Sequence, residues 1–329
     1  MLAPKLIGGI KMMNAKVSGV RSIELGVRDV RQSADFYTKV WALEEVGSEG
    51  DTTHFRGTGG EHHLLTIRQR AKPALLGVNF AVPDRTSVDE LCAKAKSYGV
   101  KVSGDPAPMS EFVGGGYGFR FETPEGLPMS ISSDGAQHSD VVLDRSRPTK
   151  ISHVVLNSGS TDEQMSFFID LLGFKHSDST RMMEFLRCSS DHHSIAIFRG
   201  NGPSLNHVAY EVPNMDGLMR GSGRVKRSGF DIEWGIGRHG PGSNVFSYFI
   251  EPDGFVAEYT TELDQIDEST YVPQDAEYWD KVVPIRGDRW GLAGSPSNRM
   301  QFAMSGGLYL GEQPPEGVRC EDIIGRKLR

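Results

Sequence analysis

Residue types that bind metal ions lie in three separate runs of the C-terminal half of the chain. Glu258 follows a Pro-Asp-Gly turn by four residues, in the run RHGPGSNVFSYFIEPDGFVAEY (238–259). His153 and His207 lie in two other runs whose apolar pattern predicts β-strands. Two imidazoles and one carboxylate suit a divalent first-row metal, and three protein ligands leave coordination positions open. The sequence therefore predicts a metal centre formed by these three residues, provided that the fold brings their strands together.

The chain repeats itself at an offset of about 130 residues, which indicates how the strands are arranged. Each copy contains an alternating apolar strand, a helical stretch with an aromatic pair, a run ending in Val-Pro, and a Pro-acid-Gly turn. The paired segments are 20–47 and 150–178, 75–84 and 204–214, and 117–132 and 246–261. Each half is predicted to contain two strand–helix–strand–strand–strand (βαβββ) units. The predicted fold class is α+β, with four such modules in two domains, each domain a curled sheet around a cavity.

The repeat also shows which residues are special to the second copy. At the positions equivalent to the three predicted ligands, the first copy has Ile23, Gly77 and Ser130, none of which is a usual metal ligand. A single histidine in a strand is more often an ordinary core or surface residue, but three ligand types that are absent from the sister copy favour a site. Chemistry is therefore assigned to the second half. The other histidines in predicted loops or turns are expected to be surface residues; they are His54, His62, His63, His138 and His176.

Polar, Pro-containing and Ser-rich stretches divide the chain into five predicted parts. They are a leader (1–18), an N-terminal non-catalytic domain (19–135), a linker (136–150), a C-terminal catalytic metal-binding domain (151–265) and a tail (266–329). The tail is expected to pack over the second half or over a neighbouring subunit.

Composition excludes several classes of partner. The net charge of −7 argues against nucleic-acid binding, which depends on clustered lysine and arginine. No apolar run reaches the roughly 18 residues of a membrane span. The three cysteines lie far apart without a metal-binding or disulfide spacing, which favours a reducing, cytoplasmic location.

These residues together resemble the type I extradiol ring-cleaving dioxygenases of the vicinal oxygen chelate superfamily. Gly237, His239, Tyr248, Pro252, Gly254 and Glu258 follow that family's signature in order and spacing. The residue before the tyrosine is usually aliphatic or Phe in the family, and here it is Ser247. Because this position is expected to flank the pocket, the departure bears on the shape of the substrate. The resemblance extends through about residue 262 and leaves the tail outside it.

The resemblance implies a role for each site residue. Fe(II), with Mn(II) as a second option, would be bound by His153, His207 and Glu258. His193 in the run DHHSIAIFR (191–199) would be the general acid and base, with His192 as the alternative assignment.

In the same family, His239 and Tyr248 would form hydrogen bonds to the substrate oxygens. The implied partners are a catechol-type diol and O₂, and family members commonly form homo-oligomers. The diol would be cleaved next to its two oxygens, with both atoms of O₂ incorporated.

Two other functions fit parts of the pattern. A metal-dependent isomerase of the same superfamily would share its ligands between two modules, which the residues of the first copy argue against. A non-catalytic small-molecule binding protein would not need metal ligands. The substrate cavity is expected to be lined by Phe185, Val245 and Phe246. Arg187 and Arg238 are expected to be solvated surface charges, and an arginine facing inwards would instead suit a carboxylated catechol.

Overall fold

The computed structural model describes residues 15–140, 144–283, 287–325 and 328. Most of the predicted leader, residues 1–14, and part of the predicted linker, residues 141–143, lie outside the described residues. The first sheet has the strands β1 (Gly19–Val27), β2 (Glu44–Glu49), β3 (Thr52–Arg56), β4 (Leu65–Gln69), β5 (Ala74–Ala81), β6 (Val102–Pro108), β7 (Tyr117–Glu122) and β8 (Pro128–Ser133). The second sheet has the strands β9 (Lys150–Ser158), β10 (Lys175–Ser179), β11 (Met183–Arg187), β12 (Ile195–Arg199), β13 (Ser204–Glu211), β14 (Trp234–Arg238), β15 (Val245–Ile250) and β16 (Val256–Thr261).

Each βαβββ unit contains one α-helix, and short helices follow the second sheet. The four helices of the units are α1 (Val30–Asp35), α2 (Arg85–Tyr98), α3 (Thr161–Ser166) and α4 (Met215–Arg227). Helices α1 and α3 continue as wider π-type turns, Phe36–Val40 and Phe167–Leu171. The tail forms α5 (Ala276–Val282), α6 (Asn298–Met304), α7 (Gly307–Leu310) and α8 (Cys320–Ile323). None of the helices in the described part of the chain is long and apolar enough to cross a bilayer.

The two sheets have the same strand order. The first is β2-β3-β4-β1-β5-β8-β7-β6 and the second is β10-β11-β12-β9-β13-β16-β15-β14. In each sheet the first strands of the two units pair antiparallel, and each first strand also pairs in parallel with the last strand of its own unit. The predicted α+β architecture of four βαβββ modules is confirmed.

The aromatic pairs that marked the repeat lie where the two halves meet. Phe36 and Tyr37 are fully buried in one core that also contains residues of the second sheet. Trp41, at the end of the same helical segment, stacks on Tyr259 of β16 with ring centroids 3.9 Å apart. The Tyr259 hydroxyl also lies 2.7 Å from the carbonyl oxygen of Trp41. A helix of the first copy therefore covers the outer face of the sheet that carries the predicted metal ligands.

Helix α4 forms despite three glycines, because two of them allow close packing. A Cβ atom at Gly217 would lie 1.9 Å from the carbonyl oxygen of Arg145, and one at Gly221 would lie 2.9 Å from the Tyr259 ring. Glycine normally disfavours a helix interior by about 1 kcal/mol relative to alanine. Glycine is needed at these positions because the helix lies close to the Arg145 carbonyl at one of them and close to Tyr259 of the sheet at the other.

The strand register corrects one equivalence inferred from the sequence. Ile23 pairs with Val78 and Leu65, and its counterpart in the second sheet, Val154, pairs with Val208 and Ile195. Residue 23 therefore corresponds to residue 154, and the counterpart of His153 is Ser22, not Ile23. Because β1 and β9 both contain register irregularities, an equivalence taken from a constant sequence offset can be wrong by one residue. Ser22 is also not a usual metal ligand, so the contrast between the two copies remains.

Candidate metal centre

His153, His207 and Glu258 lie on three neighbouring strands, β9, β13 and β16. His153 and Glu258 both pair with Ala209, and Ala209 is two residues after His207 on β13. Because alternate residues of a strand point to the same face, the register places all three side chains on one face of the sheet. The order of strands in this sheet, which the repeat alone does not reveal, is what assembles the site.

The three side chains converge closely enough to share an ion. Each offers one ligand atom, and these atoms all lie within 4.8 Å of one another. Nε2 of His153 is 3.3 Å and Nε2 of His207 is 3.2 Å from Oε2 of Glu258. All three side chains are buried. Nε2 of His207 and Oε2 of Glu258 nevertheless lack a hydrogen-bond partner, which is costly for buried polar atoms unless a cation lies between them. The donor set and its geometry therefore fit a divalent metal.

The electrostatics of the ligands also suit a cation. Burial alone would raise the pKa of Glu258, but the adjacent His153 and His207 rings outweigh it and hold that pKa below its ordinary value. Burial lowers the pKa of His207. An ionised carboxylate and a neutral imidazole are the protonation states that bind metals.

A chain of amides orients His207. Nδ1 of His207 lies 2.7 Å from Oδ1 of Asn206, whose Nδ2 donates to Oδ1 of Asn157 at 2.9 Å. Nδ2 of Asn157 donates in turn to the carbonyl oxygen of Met304 at 2.7 Å and to Ser204. Because Oδ1 of Asn206 accepts, Nδ1 of His207 carries the proton and Nε2 keeps its lone pair for a ligand. Sequence reasoning missed both asparagines, since asparagine in a strand has no distinctive spacing.

His239 and Tyr248 form a second oriented pair beside the ligands. Nδ1 of His239 lies 2.8 Å from the carbonyl oxygen of Gly287, which can only accept, so this nitrogen is protonated. Nε2 of His239 is 2.9 Å from the Tyr248 hydroxyl. Burial lowers the pKa of His239 to about 4, so the ring is neutral at pH 7 and accepts the hydroxyl proton. Burial also raises the pKa of Tyr248. The Tyr248 ring lies 5.1 Å from the His207 ring, which places the pair next to the metal ligands.

His193 closes the opposite side of the site. Its ring centroid is 4.3 Å from that of His153 and 5.1 Å from that of Phe185. The side chain is buried, and burial lowers its pKa well below the ordinary value. His192 lies behind His193, with its ring 5.9 Å from Phe185 and 6.0 Å from Tyr271 of the tail. All six residues predicted for the site therefore lie together.

The pocket-lining residues were predicted only in part. Phe185 contacts His193, and Phe246 stacks on His239 at 4.0 Å, so both line the site. Val245 instead belongs to the core on the outer face of the sheet. Ser247 was expected to flank the pocket, but it accepts a hydrogen bond of 2.9 Å from Ser222 of α4 on the outer face. The prediction for these two residues was wrong because side chains alternate along β15.

The two arginines also differ from expectation. Arg187 is buried, where its guanidinium forms hydrogen bonds to Glu268 at 3.0 and 3.1 Å and packs over the Tyr271 ring. Arg238 is half-buried, forms an ion pair with Glu262 and packs over the Trp290 ring. Glu268, Tyr271 and Trp290 belong to the tail, so this part of the tail packs over the second half, which is one of the two locations expected for it.

The histidines predicted to be surface residues form buried or partly buried contacts instead. His54 lies on β3 and is 1% exposed, and His63 is 8% exposed. His62 and His138 are partly buried and stack on each other, and His176 lies on β10 against Glu184. In addition, the register makes the pair at 62–63 equivalent to the pair at 192–193. The N-terminal sheet therefore has a histidine pair at the equivalent positions, and it lacks the residue types predicted to bind metal.

Comparison with known proteins places this geometry in a family. Two stretches, residues 19–131 and 150–259, match the model of the glyoxalase/bleomycin resistance protein/dioxygenase superfamily. A Mn(II)-bound glyoxalase from Novosphingobium aromaticivorans is 41% identical, with a TM-score of 0.80 over 86% of this chain and 94% of that protein.

Two further relatives are named as a metapyrocatechase and a dioxygenase. Metapyrocatechase 2 from Cupriavidus necator is 33% identical over 138 residues, 40% of this chain and 43% of that protein, so the match spans less than half of either. A manganese-dependent 2,3-dihydroxybiphenyl 1,2-dioxygenase from Geobacillus genomosp. 3 is 25% identical over 73% of this chain and 83% of that protein. Since the family model spans both sheets, this chain belongs to the glyoxalase/bleomycin resistance protein/dioxygenase superfamily.

Proposed function

We propose that this protein is an extradiol dioxygenase that cleaves a catechol-type aromatic diol next to its two oxygens and incorporates both atoms of O₂. The observation that carries the proposal is the convergence of His153, His207 and Glu258 on one face of a single sheet, with proton-transfer residues on both sides. We further propose that the N-terminal domain is non-catalytic, because its sheet has Ser22, Gly77 and Ser130 at the ligand positions.

The proposed metal is Fe(II), with Mn(II) as the alternative. His153, His207 and Glu258 would hold it. When bound, such a metal would lower the pKa of a coordinated diol hydroxyl and provide open positions for the diol and O₂. Relatives whose names specify manganese support the alternative, because the same ligand types bind either metal.

The remaining residues would move protons and orient the diol. The Tyr248 hydroxyl donates a hydrogen bond to the neutral His239, so its oxygen keeps lone pairs that can accept a hydrogen bond from a substrate hydroxyl. His193 lies against His153 on the other side, where its free ring nitrogen can take a proton from the substrate and later return it. General acid–base residues of this kind contribute about 10²- to 10⁴-fold in rate. Phe185 and Phe246 supply apolar surface for the aromatic ring.

A panel of catechols tests the proposal most directly. The protein is purified without metal, loaded with Fe(II) or Mn(II), and assayed for O₂ consumption and for the yellow ring-opened product. We expect one O₂ per diol, and cleavage beside the diol rather than between its oxygens. The variant His193→Ala should keep its metal and lose about 10²- to 10⁴-fold in kcat. Full turnover by this variant, or no cleavage of any catechol by the loaded protein, would contradict the assignment.

A metal-dependent isomerase is the second candidate, because a Mn(II)-bound glyoxalase is 41% identical to this chain. The ligand arrangement favours the first candidate, since all three ligands lie on one sheet. Assaying the same loaded protein with the hemithioacetal of methylglyoxal and glutathione separates the two. Isomerisation of this compound without ring cleavage would replace the dioxygenase proposal.

A further inference from the structure

Behind His193 lies a buried chain of hydrogen bonds that reaches the tail. Nδ1 of His193 is 3.0 Å from Nδ1 of His192, and Nε2 of His192 is 2.9 Å from Oδ2 of Asp178 on β10. Oδ1 of Asp178 accepts from the Tyr271 hydroxyl at 2.8 Å and from the backbone N–H of Gln274 at 2.7 Å. Asp178, His192 and His193 are each at most 3% exposed, so solvent does not compete for these contacts.

This chain fixes where the protons lie. A carboxylate only accepts hydrogen bonds, so Nε2 of His192 must carry the proton that meets Asp178. Provided that the His192 ring is neutral, its Nδ1 accepts, and the proton between the two rings then belongs to Nδ1 of His193. Nε2 of His193 is left with its lone pair. A carboxylate that holds an imidazole in one tautomer is a known way of making that imidazole a base.

The sister copy shows that the acid is not a general feature of this fold. The pair His62 and His63 has the same separation of 3.0 Å between its Nδ1 atoms. Strand pairing makes His54 the counterpart of Phe185. Asp178 lies opposite Phe185 in the second sheet, and Gly47 lies opposite His54 in the first. Gly47 is therefore the counterpart of Asp178. The acid therefore occurs only in the copy that has the metal ligands. A purely structural role of the histidine pair does not explain this difference.

We propose that Asp178 and His192 are positioning residues that hold His193 in the tautomer with the proton on Nδ1, so that Nε2 meets the substrate as a base. In this arrangement Nε2 takes a proton from a substrate hydroxyl, and the resulting imidazolium still donates from Nδ1 to His192. Nε2 later returns the same proton to the product side of the reaction, so no proton is lost from the chain. The proposal rests on the dioxygenase function for its kinetic consequence but not for the tautomer itself.

The isosteric change Asp178→Asn separates this role from a structural one. The Tyr271 hydroxyl and the Gln274 N–H require an acceptor, so the new amide oxygen must face them and the new NH₂ group must face His192. His192 then accepts at Nε2 and donates from Nδ1, and His193 is forced to carry its proton on Nε2. We expect kcat to fall about 10²- to 10⁴-fold while KM for the catechol and the metal content change less than about threefold. A kcat within threefold of the wild type would overturn the proposal.

Nitrogen-15 NMR of the histidine rings in the metal-free protein tests the tautomer without any turnover. We expect the proton of His193 on Nδ1 in the wild type and on Nε2 in Asp178→Asn. A wild-type protein with the proton on Nε2 would overturn the inference. This readout remains valid if no catechol is cleaved, so failure of the proposed function and failure of the inference are distinguishable.

The sister copy offers a matched control for removing the neighbouring ring. His192→Ala deletes the acceptor of the His193 proton, and His62→Ala deletes the equivalent ring of the N-terminal sheet. We expect the first change to lower kcat at least about tenfold and the second to leave kcat within about twofold. Equal losses in both variants would show that the pair is only structural, and would overturn the proposal.

Discussion

The Tyr248 hydroxyl lies 2.9 Å from Nε2 of His239, whose other ring nitrogen donates to the carbonyl oxygen of Gly287. The Gly287 carbonyl fixes the tautomer of His239 with its proton on Nδ1. Nε2 therefore accepts from the Tyr248 hydroxyl, and the pair lies beside the predicted metal ligands. Replacing Tyr248 by Phe removes the oxygen that would accept a hydrogen bond from a substrate hydroxyl. A hydrogen bond between neutral groups contributes about 0.5–1.5 kcal/mol, so kcat/KM should fall about 2- to 13-fold. Steady-state kinetics with a constant metal content checks this expectation, and unchanged kinetics would remove Tyr248 from the site.

Glu258 is the fully buried carboxylate between two imidazoles, and its removal should eliminate metal binding. We expect Glu258→Ala and His207→Ala to bind almost no Fe(II) or Mn(II), because two remaining ligands hold a divalent ion poorly. Metal analysis after dialysis measures the loss, and circular dichroism shows whether the fold is retained. Ser130→Ala, at the equivalent position of the N-terminal sheet, is the matched control and should keep the full metal content. Stoichiometric metal in Glu258→Ala would refute the predicted ligand set.

Asn206 orients His207 through its amide oxygen, so it should influence metal affinity without being a ligand. Partners of this kind typically contribute 10- to 100-fold in metal affinity or activity. We therefore expect Asn206→Ala to raise the Kd for Mn(II) about 10- to 100-fold, as measured by calorimetry on the metal-free protein. Asn79→Ala changes an amide on the corresponding strand of the N-terminal sheet and should leave the Kd unaltered. An unchanged Kd in Asn206→Ala would show that the amide chain has no role in binding.

Glu251 should make folding stability depend on pH. Its carboxyl is fully buried, and burial followed by the nearby Asp253 charge raises its pKa well above the ordinary value of 4.5. Between pH 4.5 and the raised pKa, the folded protein keeps a proton that the unfolded chain has lost. The free energy of unfolding therefore decreases as pH rises through this window, by up to about 1.4 kcal/mol per pH unit for one group.

The variant Glu251→Gln isolates this contribution. Glutamine keeps the oxygen that accepts from the backbone N–H groups of Asp253 and Phe255, but it cannot ionise. Urea unfolding between pH 5 and pH 8 should give a flatter dependence for this variant than for the wild type. Glu49→Gln, on an exposed position of β2, should follow the wild-type dependence. Parallel curves for Glu251→Gln and the wild type would show that the buried carboxyl is not the cause.

The sequence was sufficient for the fold, and it singled out three residues that the fold brings together, because the repeat supplied an internal comparison. The sequence-based prediction failed for features that depend on which residues are paired across the sheet. A register irregularity moved the counterpart of His153 from Ile23 to Ser22, and strand alternation turned Ser247 away from the pocket. The partners of His192 and His207 were missed for a related reason. Asp178 lies 14 residues from His192, which it contacts directly, and Asn157 lies 50 residues from His207, which it orients through Asn206. Neither has a sequence spacing that is typical of a site.

The tail supplies hydrogen bonds to the groups that orient three different histidines. Tyr271 and Gln274 act on His193 through Asp178, and the Met304 carbonyl acts on His207 through the amide chain. The Gly287 carbonyl accepts directly from His239. Gene duplication could copy the sheets, but it could not copy these contacts, because they come from sequence that has no counterpart in the first half. A chimera that joins the second sheet of this protein to the terminal segment of a distant relative would thus inherit the liganding side chains while losing the groups that aim them. A chimera of two family members should therefore have its junction before β9, so that the second sheet and its C-terminal extension come from the same protein.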